Sequence, residues 1–82
     1  MARIEATRLQ GIGMRHDFTA ADGTRIGVIT YDSGGRELLI FDQRDPDECR
    51  ASLALDEDDA HTLAELLAGW HGFDRHGPDP AA

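Results

Sequence analysis

Eighty-two residues and 9.0 kDa leave room for one small domain with a thin core. Sixteen Asp and Glu against eight Arg, with no Lys, give a formal charge of −8 and a pI near 4.7. Such a surface repels phosphates, which excludes nucleic acid as a partner and disfavours an anionic leaflet, while a hydrophobic share of 40% excludes a disordered acidic tail.

Residues 2–9 alternate weakly and are predicted as an edge strand. Gly11-Ile12-Gly13 then marks a turn. Met14–Thr19 alternates as a strand does, and Ala21-Asp22-Gly23 ends it. Thr24–Tyr31 carries Ile26, Val28, Ile29 and Tyr31 up to the turn at Asp32-Ser33-Gly34-Gly35. Arg36–Asp42 carries Leu38, Leu39, Ile40 and Phe41 up to Asp45-Pro46-Asp47, and Arg50–Leu55 alternates again. Turns every ten or so residues are the spacing of a β-meander. From Asp56, a good N-cap, the period changes. Ala60, Leu63, Leu67 and Trp70 form one stripe of a helix of about 15 residues, stopped at His71-Gly72. The predicted architecture is α+β: an antiparallel meander of four to five strands with one C-terminal amphipathic helix packed on one face. Residues 1–73 form the domain. Residues 74–82, with two prolines, read as a tail or the start of a linker.

Two-residue turning at Asp22-Gly23 and a symmetric 32–35 loop predict that His16 lies opposite Ile29 and Ile29 opposite Leu38. One face then collects Met14, Phe18, Ile29, Tyr31, Leu38 and Ile40, and takes the helix. The other collects Ile26, Val28, Leu39 and Phe41, interrupted by Arg15, Asp17, Thr30 and Glu37. Burying each large apolar side chain is worth about 1.5–3 kcal/mol, so this second face calls for cover. A second copy, a further domain or a partner would supply it. The alternative is a register in which residues 2–9 or 50–55 fold over it. Ile26, Val28, Leu39 and Phe41, with Arg15, Arg36 and Glu37 nearby, are therefore the candidate partner or dimer face.

Motifs for chemistry are sparse. Gly11-Ile12-Gly13 lacks the third glycine and the following helix of a dinucleotide fingerprint. Asp42, Asp45, Asp47 and Glu48 lack calcium-loop spacing, and Asp-Pro-Asp is a turn former in its own right. His16, His61, His71 and His76 never fall four apart on a helix, and Cys49 has no second thiol. Ser33 and Ser52 lack a nucleophile's context. No catalytic residue, cofactor site or metal site is predicted. No apolar run reaches the 18 or so residues of a membrane span and no signal peptide opens the chain, so a cytoplasmic address is the expectation.

The pieces have a recognisable order. Leu9-Gln10-Gly11-Ile12-Gly13, Phe18, Asp22-Gly23, Gly35-Arg36-Glu37-Leu38, Phe41-Asp42, Asp45-Pro46-Asp47-Glu48 and Ala64–Gly69 together resemble the N-terminal domain of KhtT-type regulatory subunits of potassium/proton antiporters. The resemblance covers residues 4–70. It implies a cytoplasmic, non-enzymatic subunit that dimerises and docks on a monovalent-cation/proton antiporter at the inner face of the plasma membrane. It also implies a C-terminal domain of the TrkA/RCK type that binds cyclic di-AMP, which this chain does not include; Gly77–Pro80 then reads as a linker cut short. Gln10 departs from the proline usual in the family. Two other functions compete: an acidic protein-binding module of antitoxin or inhibitor kind, and a divalent-cation sensor using the 42–48 carboxylates.

Overall fold

The computed structural model describes residues 3–45 and 47–69. Five strands, β1 (Glu5–Leu9), β2 (Gly13–Thr19), β3 (Arg25–Tyr31), β4 (Arg36–Phe41) and β5 (Cys49–Leu55), are followed by one helix, α1 (Glu57–Leu67). The strands form one antiparallel sheet in the order β1-β2-β3-β4-β5, the predicted meander. The 2–9 segment is its edge strand, trimmed to residues 5–9.

The register departs from expectation at one strand. His16 pairs with Val28 and Val28 with Leu38, so β3 is inverted while β2 and β4 keep their predicted faces. The cause lies in the two hairpins. The Ala20 carbonyl accepts from the Gly23 amide and the Tyr31 carbonyl from the Gly34 amide, closing two loops of the same kind. In each, a glycine takes the left-handed position that ends a three-residue loop, with φ of 94° at Gly23 and 109° at Gly34. Each loop differs by one residue from the turn predicted for it. Because side chains alternate with period two, the first slip flips β3 and the second flips β4 back.

One face therefore presents Met14, His16, Phe18, Ile26, Val28, Thr30, Leu38, Ile40, Leu53 and Leu55, and the other Arg15, Asp17, Gly27, Ile29, Tyr31, Glu37, Leu39 and Phe41. The helix lies over the first. Ala60, Leu63, Ala64 and Leu67 face Val28, Leu38 and Leu55 across an apolar groove of about 230 Å³. The cover is partial: no residue of α1 is buried, Leu67 is 77% exposed and Leu53 50%.

Asp56 caps the helix as predicted, its Oδ1 accepting from the Asp59 amide at 2.7 Å, with Glu57, Asp58 and Asp59 in the positive first turn. The helix stops earlier than predicted, at Leu67. Gly69, two residues on, adopts a φ of 85°, and its amide bonds back to the Leu66 carbonyl. The chain thus takes its first available left-handed stop. The stripe's predicted last member, Trp70, the stop at His71-Gly72 and the tail 74–82 lie outside the described residues.

Candidate functional site

Among the described residues, the sheet face opposite the helix has no second layer and carries the least exposed side chains. Phe41 is 7% exposed and Asp17 4%. They are held together by an arginine. The Arg15 Nε donates to both carboxylate oxygens of Asp17, each at 3.0 Å, while its guanidinium carbon sits 5.2 Å from the centre of the Phe41 ring. Arg25 extends the cluster, reaching Glu5 at 3.2 Å and Asp17 at 4.0 Å. On an uncovered sheet the Asp17 carboxylate is thereby flanked by two arginines, and the Phe41 ring lies under the Arg15 guanidinium.

Gly27 makes this arrangement possible. It pairs with Asp17 across the β2–β3 ladder, and a Cβ built on it would lie 2.7 Å from Asp17 Oδ1 and 3.5 Å from Phe41 Cε2. Glycine inside a strand marks such a close approach. At the far end of the face, the Tyr31 hydroxyl donates to Glu37 Oε1 at 2.6 Å. That bond to the carboxylate, with desolvation and the carboxylate's charge, holds the phenol above its ordinary 10.0. Ile29 and Leu39 lie between the two polar clusters and are half-buried.

Of the seven candidate partner-face residues, Arg15, Glu37, Leu39 and Phe41 lie on this open face. Ile26, Val28 and Arg36 are on the helix face, which corrects their grouping on one surface; the inversion of β3 accounts for Ile26 and Val28. Arg36 pairs with Thr30 and Leu55, and its Nη1 donates to the Gly34 and Gly35 carbonyls rather than standing free as a rim charge. Residue reasoning placed Asp17 on the right face without seeing its role. Ile29 and Tyr31, expected on the helix face, lie on the open face because β3 is inverted. Arg25 and Gly27 carried no expectation, and the signal for Gly27 is a glycine amid a β-branched run.

The motif turns are structural. Ile12 donates its amide to the Leu9 carbonyl at 3.0 Å, which closes the turn through Gly11 and into Gly13. Asp42 and Asp45 use their Oδ1 atoms to accept from the Arg44 and Asp47 amides, at 2.7 and 3.2 Å, and Pro46 lies outside the described residues. Among the described residues no group of three or more His, Cys, Asp or Glu is placed to hold a metal ion. Asp22 does the same for the Thr24 amide at 2.9 Å, and this bond, helped by the Thr24 side chain, holds its carboxyl below the ordinary 3.8. Gln43 ties the two loops together through the Asp22 carbonyl and Thr24 Oγ1. No helix among the described residues is long and apolar enough to cross a membrane.

The chain is similar in sequence to known proteins. The family model described as "K(+)/H(+) antiporter subunit KhtT, N-terminal domain" matches residues 2–71. The K(+)/H(+) antiporter subunit KhtT of Bacillus subtilis is 33% identical over 66 residues, which is 80% of this chain and 40% of that protein. The uncharacterized protein YrvC of the same organism is 33% identical over 67 residues, 82% of this chain and 41% of that one. The ammonium/H(+) antiporter subunit AmhM of Alkalihalophilus pseudofirmus is 28% identical over 67 residues, again 82% of this chain and 40% of the relative. The chain thus spans about two fifths of the length of these relatives.

Proposed function

Since the chain belongs to the family of N-terminal domains of the K(+)/H(+) antiporter subunit KhtT, we propose that it is the docking and regulatory domain of a monovalent-cation/proton antiporter subunit. The match across residues 2–71 carries this reading. Two relatives named as subunits of proton-coupled antiporters, one for K(+) and one for ammonium, support it. In this proposal the domain acts in the cytoplasm by dimerising and binding its transporter, not by catalysis, and the transporter alone crosses the membrane. A ligand such as cyclic di-AMP belongs to a separate C-terminal domain.

The open sheet face is the surface proposed to meet the transporter. Ile29 and Leu39 supply an apolar centre, and Arg15, Arg25 and Glu37 a polar surround, the layout of a protein-binding patch. Phe41 underlies that patch as its core. The test uses everted membrane vesicles carrying the antiporter, with and without the chain, and follows decay of a proton gradient on adding K(+) or ammonium. The expected result is a shift in the cation concentration giving half-maximal exchange, and copurification of chain and antiporter, both lost with Leu39→Glu. Identical exchange with and without the chain, and no copurification, would overturn the reading.

A further inference from the structure

The two edges of the sheet differ in how they are guarded. β1 carries Glu5 and Arg8 within five residues, and charges of this kind keep an exposed edge from pairing. β5 has one charge in seven residues, Arg50, no proline and no glycine. Every residue of β5 but Leu55 is exposed, and among the described residues its only strand neighbour is β4. At its middle, Leu53 is 50% exposed. This is an unprotected template for another strand, on a molecule whose charge of −8 would keep copies apart elsewhere.

We infer that β5 pairs antiparallel with β5 of a second copy about a two-fold axis at Leu53, giving a continuous ten-stranded sheet. The inference deepens the dimer part of the proposed function and rests on it only there. A second copy fits better than an unrelated strand because the pairing is complementary in charge and in apolarity. With Leu53 opposite its own counterpart, Ala51 faces Leu55, Ser52 faces Ala54, and Arg50 faces Asp56 at the acidic start of the other helix. These matches occur twice by symmetry. Centring on Ser52 instead sets Glu48 against Asp56 and Cys49 against Leu55, a like-charge contact that disfavours that register. The axis stands perpendicular to the sheet, so both helices lie on one side. Leu53 then closes the gap between two half-covered apolar faces. Only the charged β1 edges remain, which stops growth at two copies.

The test combines mass and position. Light scattering on the 82-residue chain is expected to give the mass of a dimer, with a melting temperature that rises with concentration. Leu53→Lys should give the mass of a monomer, folded by circular dichroism, whose melting temperature no longer depends on concentration. In a Cys49→Ser background, residues directly opposite have Cα atoms about 4.5–5.5 Å apart, inside disulfide range. Leu53→Cys should therefore crosslink to itself under mild oxidation. Ser52→Cys should crosslink only when mixed with Ala54→Cys. A monomer at millimolar concentration, a dimer that survives Leu53→Lys, or Ser52→Cys linking to itself as fast as Leu53→Cys would each overturn the inference. None of these outcomes bears on the vesicle assay, so failure here is distinct from failure of the transporter reading.

Discussion

Replacing Gly27 with alanine tests whether the Asp17 cluster is held as tightly as its distances imply. The added Cβ would lie 2.7 Å from Asp17 Oδ1, where 3.4 Å begins ordinary contact. Asp17 must rotate away, giving up at least one of its two 3.0 Å bonds from Arg15. A hydrogen bond to a charged group is worth about 1.5–3 kcal/mol. Forcing a methyl into a packed site adds about 1–3 kcal/mol. The stiffer unfolded chain returns about 0.4–1 kcal/mol. The net expectation is a loss of about 2–5 kcal/mol, read by urea unfolding, or a fall in melting temperature of about 10 °C or more. The partner variant Asp17→Ala removes the obstacle. In that background Gly27→Ala should be neutral or slightly stabilising. Additivity of the two substitutions within about 0.5 kcal/mol would refute the reasoning, because a shared clash cannot be additive.

Phe41→Ala should cost about 3–5 kcal/mol, a large part of the stability of so small a domain, and collapse the thermal transition rather than merely change the elution volume. Asp56→Ala removes the side-chain cap at the start of a helix that buries none of its residues; about 1 kcal/mol of helix stability should go, seen as lower helical circular dichroism with the sheet signal intact. Tyr31 is the one tyrosine, so tyrosinate absorbance reports it alone. Its folded pKa is raised above 10.0, so the Glu37 bond stabilises fully below that pH and its contribution is lost as pH rises through the folded value. Glu37→Gln should move the titration back toward 10.0 and flatten the alkaline loss of stability.

Strand-forming runs, turn glycines and a capped amphipathic stripe made the meander and its helix legible from the residues. The face of β3 was not. Asp22-Gly23 suits a two-residue turn as well as a three-residue loop, and the choice between them sets which way Val28 and Ile29 point. Only the hydrogen bonds at Ala20 and Tyr31 settle it. Leu39 and Phe41 reached their predicted face because two one-residue slips cancel. Phe41, expected on an exposed docking surface, lies instead under the Arg15 guanidinium and is buried. Alternation of hydropathy cannot reveal that, since it treats arginine as polar and takes no account of a guanidinium stacking on a ring. The Asp17–Gly27 contact likewise depends on cross-strand neighbours brought together by register.

Each strand hydrogen-bonds to the one that immediately precedes it in the polypeptide, from the first to the fifth. A newborn chain can therefore add one hairpin arm at a time as it leaves the ribosome, with no early segment waiting on a distant mate. Loop-closure entropy stays small at every stage, and any domain synthesised afterwards would meet a finished sheet. Rapid refolding in a single exponential phase, followed by stopped-flow circular dichroism, is the kinetic signature expected of that layout.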